Sequence, residues 1–237
     1  MNPYQKLIAR KRKWTPVQVS AGTCKSGAEE AIFRALALRH MELPVGDFIT
    51  DALSTEVPEA SRNLLRSNVA DEENHDLALG YIASAYGVDE KAEEEALRLK
   101  AAWEANPDHT ITKAMVAERA IFFVLLPFFR FNGDAGMRTV SADISRDEQI
   151  HVAANSLVHT ELGYNISPSL DKLRKATINW VMQPLGKSSD KYLDKQFWLA
   201  SSDRLMYEGK APELADTKAG RMPAFFEHSN VNLPQYA

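Results

Sequence analysis

The sequence predicts an all-α protein: a four-helix bundle with one long crossover and additional helices toward the C-terminus. Three observations predict it. Apolar side chains recur three or four residues apart along most of the chain, as at Leu38, Met41, Val45, Ile49 and Leu53. Strand signals are poor, with little strict apolar/polar alternation and no Asn-Gly hairpin turn. A carboxylate–imidazole motif, Asp-Glu-x-x-His, occurs twice, as DEENH ending at His75 and DEQIH ending at His151.

In chain order, residues 27–54 read as the first long helix. Pro58 opens the second, with Glu59 in its first turn, and Gly87 closes it. Residues 89–105 (DEKAEEEALRLKAAWEA) are rich in helix formers and stop before Pro107. The next segment, Thr110 to about Asn132, is the most apolar and is predicted to be buried on most sides. The turn NGDAG at 132–136 leads into a helix over about 137–162, ended by Gly163. Amphipathic stretches at 168–183 and 189–207 follow. The last thirty residues show little periodicity and read as a tail. The chain is predicted to form one domain, 1–237, with 1–25 and about 208–237 peripheral.

The hydrophobic and charged fractions, 45% and 25%, are those of an ordinary globular protein. A net charge of −4 argues against nucleic acid as the main partner. The basic run KLIARKRK, Lys6 to Lys13, reads as a solvated N-terminal segment. Cys24 is the only cysteine, which excludes an intrachain disulfide and favours a reducing compartment. The longest apolar run, AIFFVLLPFF, stops at Arg130, short of the roughly 18 residues that a membrane span requires. With no apolar signal core at the N-terminus, a cytoplasmic location is predicted.

On a helix, residues three apart face the same way, so Glu72 and His75 can aim at one point, as can Glu148 and His151. Glutamate and neutral imidazole both suit first-row transition metals. One such pair on a helix is often a solvated face; two pairs plus a glutamate from each of two further helices form the ligand set of dinuclear carboxylate bundles. Glu118 supplies one of these, as a lone carboxylate in an apolar helix that must be paired, protonated or metal-bound. It lies 15 residues before Gly133, and Glu148 lies 15 after, so a symmetric hairpin sets both at one height. For the remaining ligand, Glu42 repeats that symmetry, 14 residues before Glu56, with Glu72 14 after Pro58. Glu29 or Glu30 would require a long irregular connection, although Glu29 shares a face with Ile32, Phe33 and Leu36, and Pro44 interrupts a helix around Glu42. The 89–105 helix can cross the bundle from end to end, the ferritin-like connection. Asp71 and Asp147, one before each motif glutamate, are candidates to accept the second N–H of a metal-bound histidine. His40, His109, His159 and His228 lack such company and read as ordinary histidines. Phe122, Phe123, Phe128 and Phe129 read as core.

From Glu118 to His151 the sequence ERAIFF…FF…ISRDEQIH resembles the second metal-binding half of the small, radical-generating subunit of class I ribonucleotide reductase. That family has a ligand glutamate followed by FF or FY and then I-S/A-R-D-E-x-x-H. The first half, Glu42 with DEENH, is similar in spacing and ligand type. The resemblance implies an enzyme component that houses two metal ions, Fe, Mn/Fe or Mn, activated by O₂ or a reduced oxygen species. It would pass an oxidant to a separate large subunit, which reduces ribonucleotides. It also implies a homodimer, with Asp147 helping to carry the radical outward, Trp14 as the N-terminal tryptophan on that route and Tyr236 as the tail tyrosine between subunits. The chain departs from the family in its shortness and in Leu79, which stands where the radical tyrosine usually sits. Tyr81, half a turn on, is predicted to face away. A stand-alone di-iron oxygenase, such as a hydroxylase, desaturase or aldehyde-deformylating enzyme, would use the same ligands. Iron storage is the third class, and the helices beyond residue 165 weigh against it.

Overall fold

The structure, a computed structural model, describes residues 1–55 and 57–215; Glu56, His228 and Tyr236 lie outside the described residues. The described residues form helices joined mostly by short connections, with one long irregular segment, residues 9–28, and no strand among them. The expected all-α bundle is what the chain builds.

Four long elements make the bundle: α3 (Glu42–Ser54), α4 (Arg62–Tyr86), a third made of α6 (Thr110–Ala117) and α7 (Phe123–Asn132), and α8 (Ala135–Glu161). Contacts run α3 to α4, α7 to α8, α3 to α6 and α4 to α8, which closes the ring. α4 buries Leu64, Leu65, Asn68, Glu72, His75, Leu79 and Ile82, one stripe at helical spacing. Its middle is polar, so a bundle of ordinary amphipathic helices carries carboxylates and imidazole at its centre. Asp134 starts α8 by accepting from Met137 N at 2.9 Å. At Gly133 a Cβ would stand 2.6 Å from the Phe129 carbonyl and 2.7 Å from Met137 Cβ, so this hairpin closes only on glycine.

Two expected helices are not continuous. The 27–54 segment divides into α2 (Glu29–Ala37), a 3₁₀ turn (Leu38–Met41) and α3. Pro44 is the physical reason: it cannot donate to the His40 carbonyl and its ring crowds that oxygen. The chain therefore restarts its helix at Glu42, with Pro44 in the first turn, where a missing N–H costs nothing. The 110–132 segment is broken by a π turn, Glu118–Phe122, between α6 and α7.

The crossover is α5 (Glu90–Ala105), capped by Asp89. It lies outside the bundle against α2, the 38–41 turn and α9 (Pro168–Met182). α10 (Lys195–Glu208) rests on α9, α7 and the π turn, and the short α11 (Pro212–Ala215) begins the predicted tail.

The N-terminal segment is not peripheral. α1 (Pro3–Ile8) buries Tyr4 and Leu7 against α4 and α8, and Val17 is buried beyond it. The basic run is likewise not simply solvated. Lys11 Nζ reaches Asn68 Oδ1 at 3.0 Å and also Asp71, and Arg12 Nη1 reaches Asp143 at 2.9 Å.

Candidate metal centre

The third element, α4 and α8 bring Glu118, Glu72, His75, Glu148 and His151 together, and α3 adds Glu42. All six are buried, none more than 2% exposed. Glu72, His75, Glu148 and His151 each offer one ligand atom, and these atoms lie within 4.8 Å of one another, close enough to hold a metal ion.

The cluster has two similar halves. His75 Nδ1 lies 3.2 Å from Glu72, 3.3 Å from Glu148 and 3.8 Å from Glu42. His151 Nδ1 lies 2.9 Å from Glu72, 3.8 Å from Glu148 and 3.8 Å from Glu118. Glu72 and Glu148 therefore serve both imidazoles, while Glu42 belongs to His75 and Glu118 to His151. The rings are 5.5 Å apart, centroid to centroid. Gly46 of α3 packs on the Glu72 stem: a Cβ there would stand 3.5 Å from Glu72 Cβ and Cγ, in ordinary contact.

The two motif aspartates cross over. Asp71, from the first motif, lies 2.9 Å from Nε2 of His151, in the second. Asp147, from the second, lies 3.5 Å from Nε2 of His75, in the first. Each aspartate has a further partner from the N-terminal segment. Asp71 meets Lys11, and Asp147 accepts from Trp14 Nε1 at 2.5 Å, with Arg12 Nε 3.8 Å away. Trp14 also stacks on His75 at 6.2 Å. An asparagine that the motifs do not mark, Asn155, donates to Glu118 at 2.6 Å. It lies four residues after His151 and seven after Glu148, on the same helical face, and that spacing is its one sequence signal.

Electrostatically the metal-free cluster is crowded. Burial pushes Glu42 up to about 8, against the opposing pull of His75. Burial, reinforced by Glu148, holds Glu118 well above the usual carboxylate range, and burial raises Glu148 too. Burial works against His151, yet the surrounding carboxylates, Glu72 foremost, carry it to about 10. His75 is raised well above its ordinary value because Asp147, Glu148, Glu42 and Glu72 outweigh burial. Glu72 is lowered to about 2, since its two histidines more than offset burial. Protons thus share the space where a cation would sit.

The other sequence candidates fall elsewhere. Glu29 and Glu30 are exposed; Glu29 accepts from Gly27 N at 2.7 Å and Glu30 pairs with Arg34. His40 pairs with Glu93, His109 caps α6 and His159 meets Thr112. Leu79 is buried one turn beyond His75, and Tyr81 is half-buried. Phe122, Phe128 and Phe129 are core.

No family model, curated protein or solved structure matches the chain. The functional reading therefore stands on the site's own chemistry. That chemistry favours a bound cation. Among the described residues, thirteen buried side-chain atoms lack a hydrogen-bond partner, and six of them are Glu42 Oε2, Glu72 Oε1, Glu118 Oε1, both Glu148 oxygens and His151 Nδ1. Orphaned polar atoms normally carry a cost of about 1–3 kcal/mol each. Here they sit in one buried cluster, with Glu72 Oε1 2.9 Å from His151 Nδ1, where coordination would satisfy them. No helix among the described residues is long and apolar enough to cross a membrane.

Proposed function

We propose that the chain is a compact radical-generating subunit of class I ribonucleotide reductase, and that Glu42, Glu72, His75, Glu118, Glu148 and His151 hold a pair of Fe or Mn ions. Donor atoms sharing one ion at about 2.1 Å lie about 3.0–4.2 Å apart, and the His–Glu separations of 2.9–3.8 Å suit that arrangement. Four carboxylates neutralise two divalent cations, which removes the charge penalty of burial. Oxygen-rich ligation without thiolate suits Fe and Mn. Glu42 with His75 would hold one ion and Glu118 with His151 the other, and Glu72 and Glu148, which lie near both histidines, would add their charge to both.

When bound, the metal pair supplies one-electron oxidising power drawn from O₂ or a reduced oxygen species. The protein's own residues do the rest. Asp71 and Asp147 hold the Nε2–H of each histidine, which leaves each Nδ1 lone pair facing the centre. Burial works against the charge on Asp147, but His75, Trp14 and Arg12 keep its carboxyl below the usual range, so it stays an acceptor. Loss of an electron from Trp14 would make its Nε1–H acidic, and Asp147 Oδ2 stands ready to take that proton at 2.5 Å.

The observation that carries the reading is this unbroken contact, His75 to Asp147 to Trp14, from the buried cluster to the outer segment. A subunit that exports an oxidant needs a path along which an electron can travel inward to its metals, whereas an oxygenase needs a substrate chamber beside them. The cavity of about 550 Å³ next to Trp14 is lined by Lys11, Arg12, Asp71 and Asn74 among others, and by none of the six proposed ligands. The large subunit, a homodimeric state and the role of Tyr236 belong to the same proposal.

The test is to load the protein with Fe(II), Mn(II) or both, expose it to air and assay ribonucleotide reduction with a large reductase subunit. Reduction should require both proteins, and Trp14→Phe should keep its metals but lose reduction. Oxidation of an alkyl or aldehyde substrate by this protein alone, with no effect on any large subunit, would establish the oxygenase reading instead.

A further inference from the structure

A four-helix bundle does not need α9 and α10, yet α10 sends a polar side chain to the π turn that carries Glu118, and α9 backs it. Ser202, fully buried on α10, donates through Oγ to the carbonyl of Ala120, inside the turn, at 2.7 Å. Ser202 in turn accepts from Arg174 Nη1 of α9 at 2.7 Å. Arg174, also fully buried, is held by Asp171 at 2.8 Å and Asp203 at 2.7 Å. From the other side, Arg119 of the turn donates through Nε to the carbonyl of Leu205 on α10 at 2.7 Å. Gly209 leaves room for that arginine: a Cβ there would stand 2.6 Å from Arg119 Nη2.

A π turn is a rare, strained insertion in an α-helix. Its i→i+5 bond interrupts the regular ladder and leaves a carbonyl in need of an outside donor. Without that donor the turn gains by relaxing to ordinary α-helix. Relaxation removes one residue from the register, which turns one side against the other by about 100° and shifts it by about 1.5 Å. Glu118 begins the turn and would swing away from His151.

We infer that Ser202, backed by Arg174 and assisted by Arg119, is a positioning residue that holds the π turn open and so keeps Glu118 aimed at His151. The C-terminal helices are then part of the metal centre's scaffold. This rests on reading Glu118 as a metal ligand. It predicts an asymmetric defect: the Glu118–His151 half of the centre fails while the Glu42–His75 half survives.

The test compares wild type with Ser202→Ala and the hydroxyl-preserving Ser202→Thr. Metal-free protein is titrated anaerobically with Mn(II), free Mn(II) being read by EPR, and amide exchange is followed in the metal-free proteins. Wild type and Ser202→Thr should take up two ions per chain. Ser202→Ala should keep one tight ion and bind the second about tenfold more weakly, the effect of one lost hydrogen bond. Amides 119–123 should exchange about tenfold faster in Ser202→Ala, with those of the second motif unchanged. Should Ser202→Ala not fold, Arg119→Gln, which cuts only the tie to Leu205, should move the same amides in the same direction. Two ions bound at wild-type affinity, or unchanged exchange at 119–123, overturns the inference. If wild type binds no ion, the metal reading fails, and the exchange rates still decide whether Ser202 holds the turn.

Discussion

At the scale of residues, the ligand set divides by position and each class has its own signature. Glu72 and Glu148 face both histidines, so Glu72→Ala or Glu148→Ala should abolish binding of both ions. Glu42 and Glu118 each face one histidine, so their alanine variants should each lose one. Metal content per folded chain is the measurement, and two ions retained in Glu148→Ala would contradict the assignment. Asp147→Asn keeps the shape but weakens the acceptor behind His75; metal affinity should fall about 10–100-fold, with helicity unchanged by circular dichroism. Much of this cluster was legible in sequence. A glutamate and a histidine three apart point the same way whatever surrounds them, and a lone carboxylate in AERAIFF has few fates. The crossing of Asp71 to His151 and Asp147 to His75 was not legible, because it depends on how α4 and α8 sit against each other. Lys11 and Arg12 read as solvated because charge runs usually are, and nothing local marks the aspartates that neutralise them.

At the scale of elements, the irregular turns place the site. The 3₁₀ turn before Glu42 follows from Pro44, and its position decides that Glu42, not Glu29 or Glu30, reaches the cluster. Sequence symmetry about the two hairpins pointed to Glu42 because arms of equal length end at equal height. The π turn at Glu118 left no such trace, since its outside partners, the Ser202 hydroxyl that donates to it and the Leu205 carbonyl that accepts from it, lie some eighty residues on. The hairpin between the third element and α8 has a sharper requirement. Gly133→Ala places a methyl within 2.6 Å of the Phe129 carbonyl. Such overpacking typically costs about 1–3 kcal/mol, and a chain of this size loses about 2–4 °C per kcal/mol. Thermal unfolding should register that drop, and because the hairpin sets the heights of Glu118 and Glu148, metal affinity should fall with it.

At the scale of the whole molecule, the buried cluster ties stability to pH and to metal. In the metal-free protein Glu42 titrates at about 8 rather than 4.5, and His151 at about 10 rather than 6.5. Both folded values are raised, so the folded form binds more protons than the unfolded chain. Stability from these groups is present at low pH and is lost as pH rises, from 4.5 to about 8 for Glu42 and from 6.5 to about 10 for His151. Glu72, lowered to about 2, acts oppositely: its contribution is lost as pH falls from 4.5. Denaturant midpoints of metal-free protein should therefore decline between about pH 6 and 9, and bound metal, which takes the protons' place, should flatten that decline. The most direct measurement of the central claim is anomalous diffraction from crystals grown with Fe or Mn, collected at each metal's edge. Two ions about 3.5–4 Å apart, one beside Glu42 and His75 and the other beside Glu118 and His151, with Glu72 and Glu148 near both, is the predicted result. A well-ordered cluster that holds no ion at saturating metal, or ions bound only elsewhere on the protein, would contradict it.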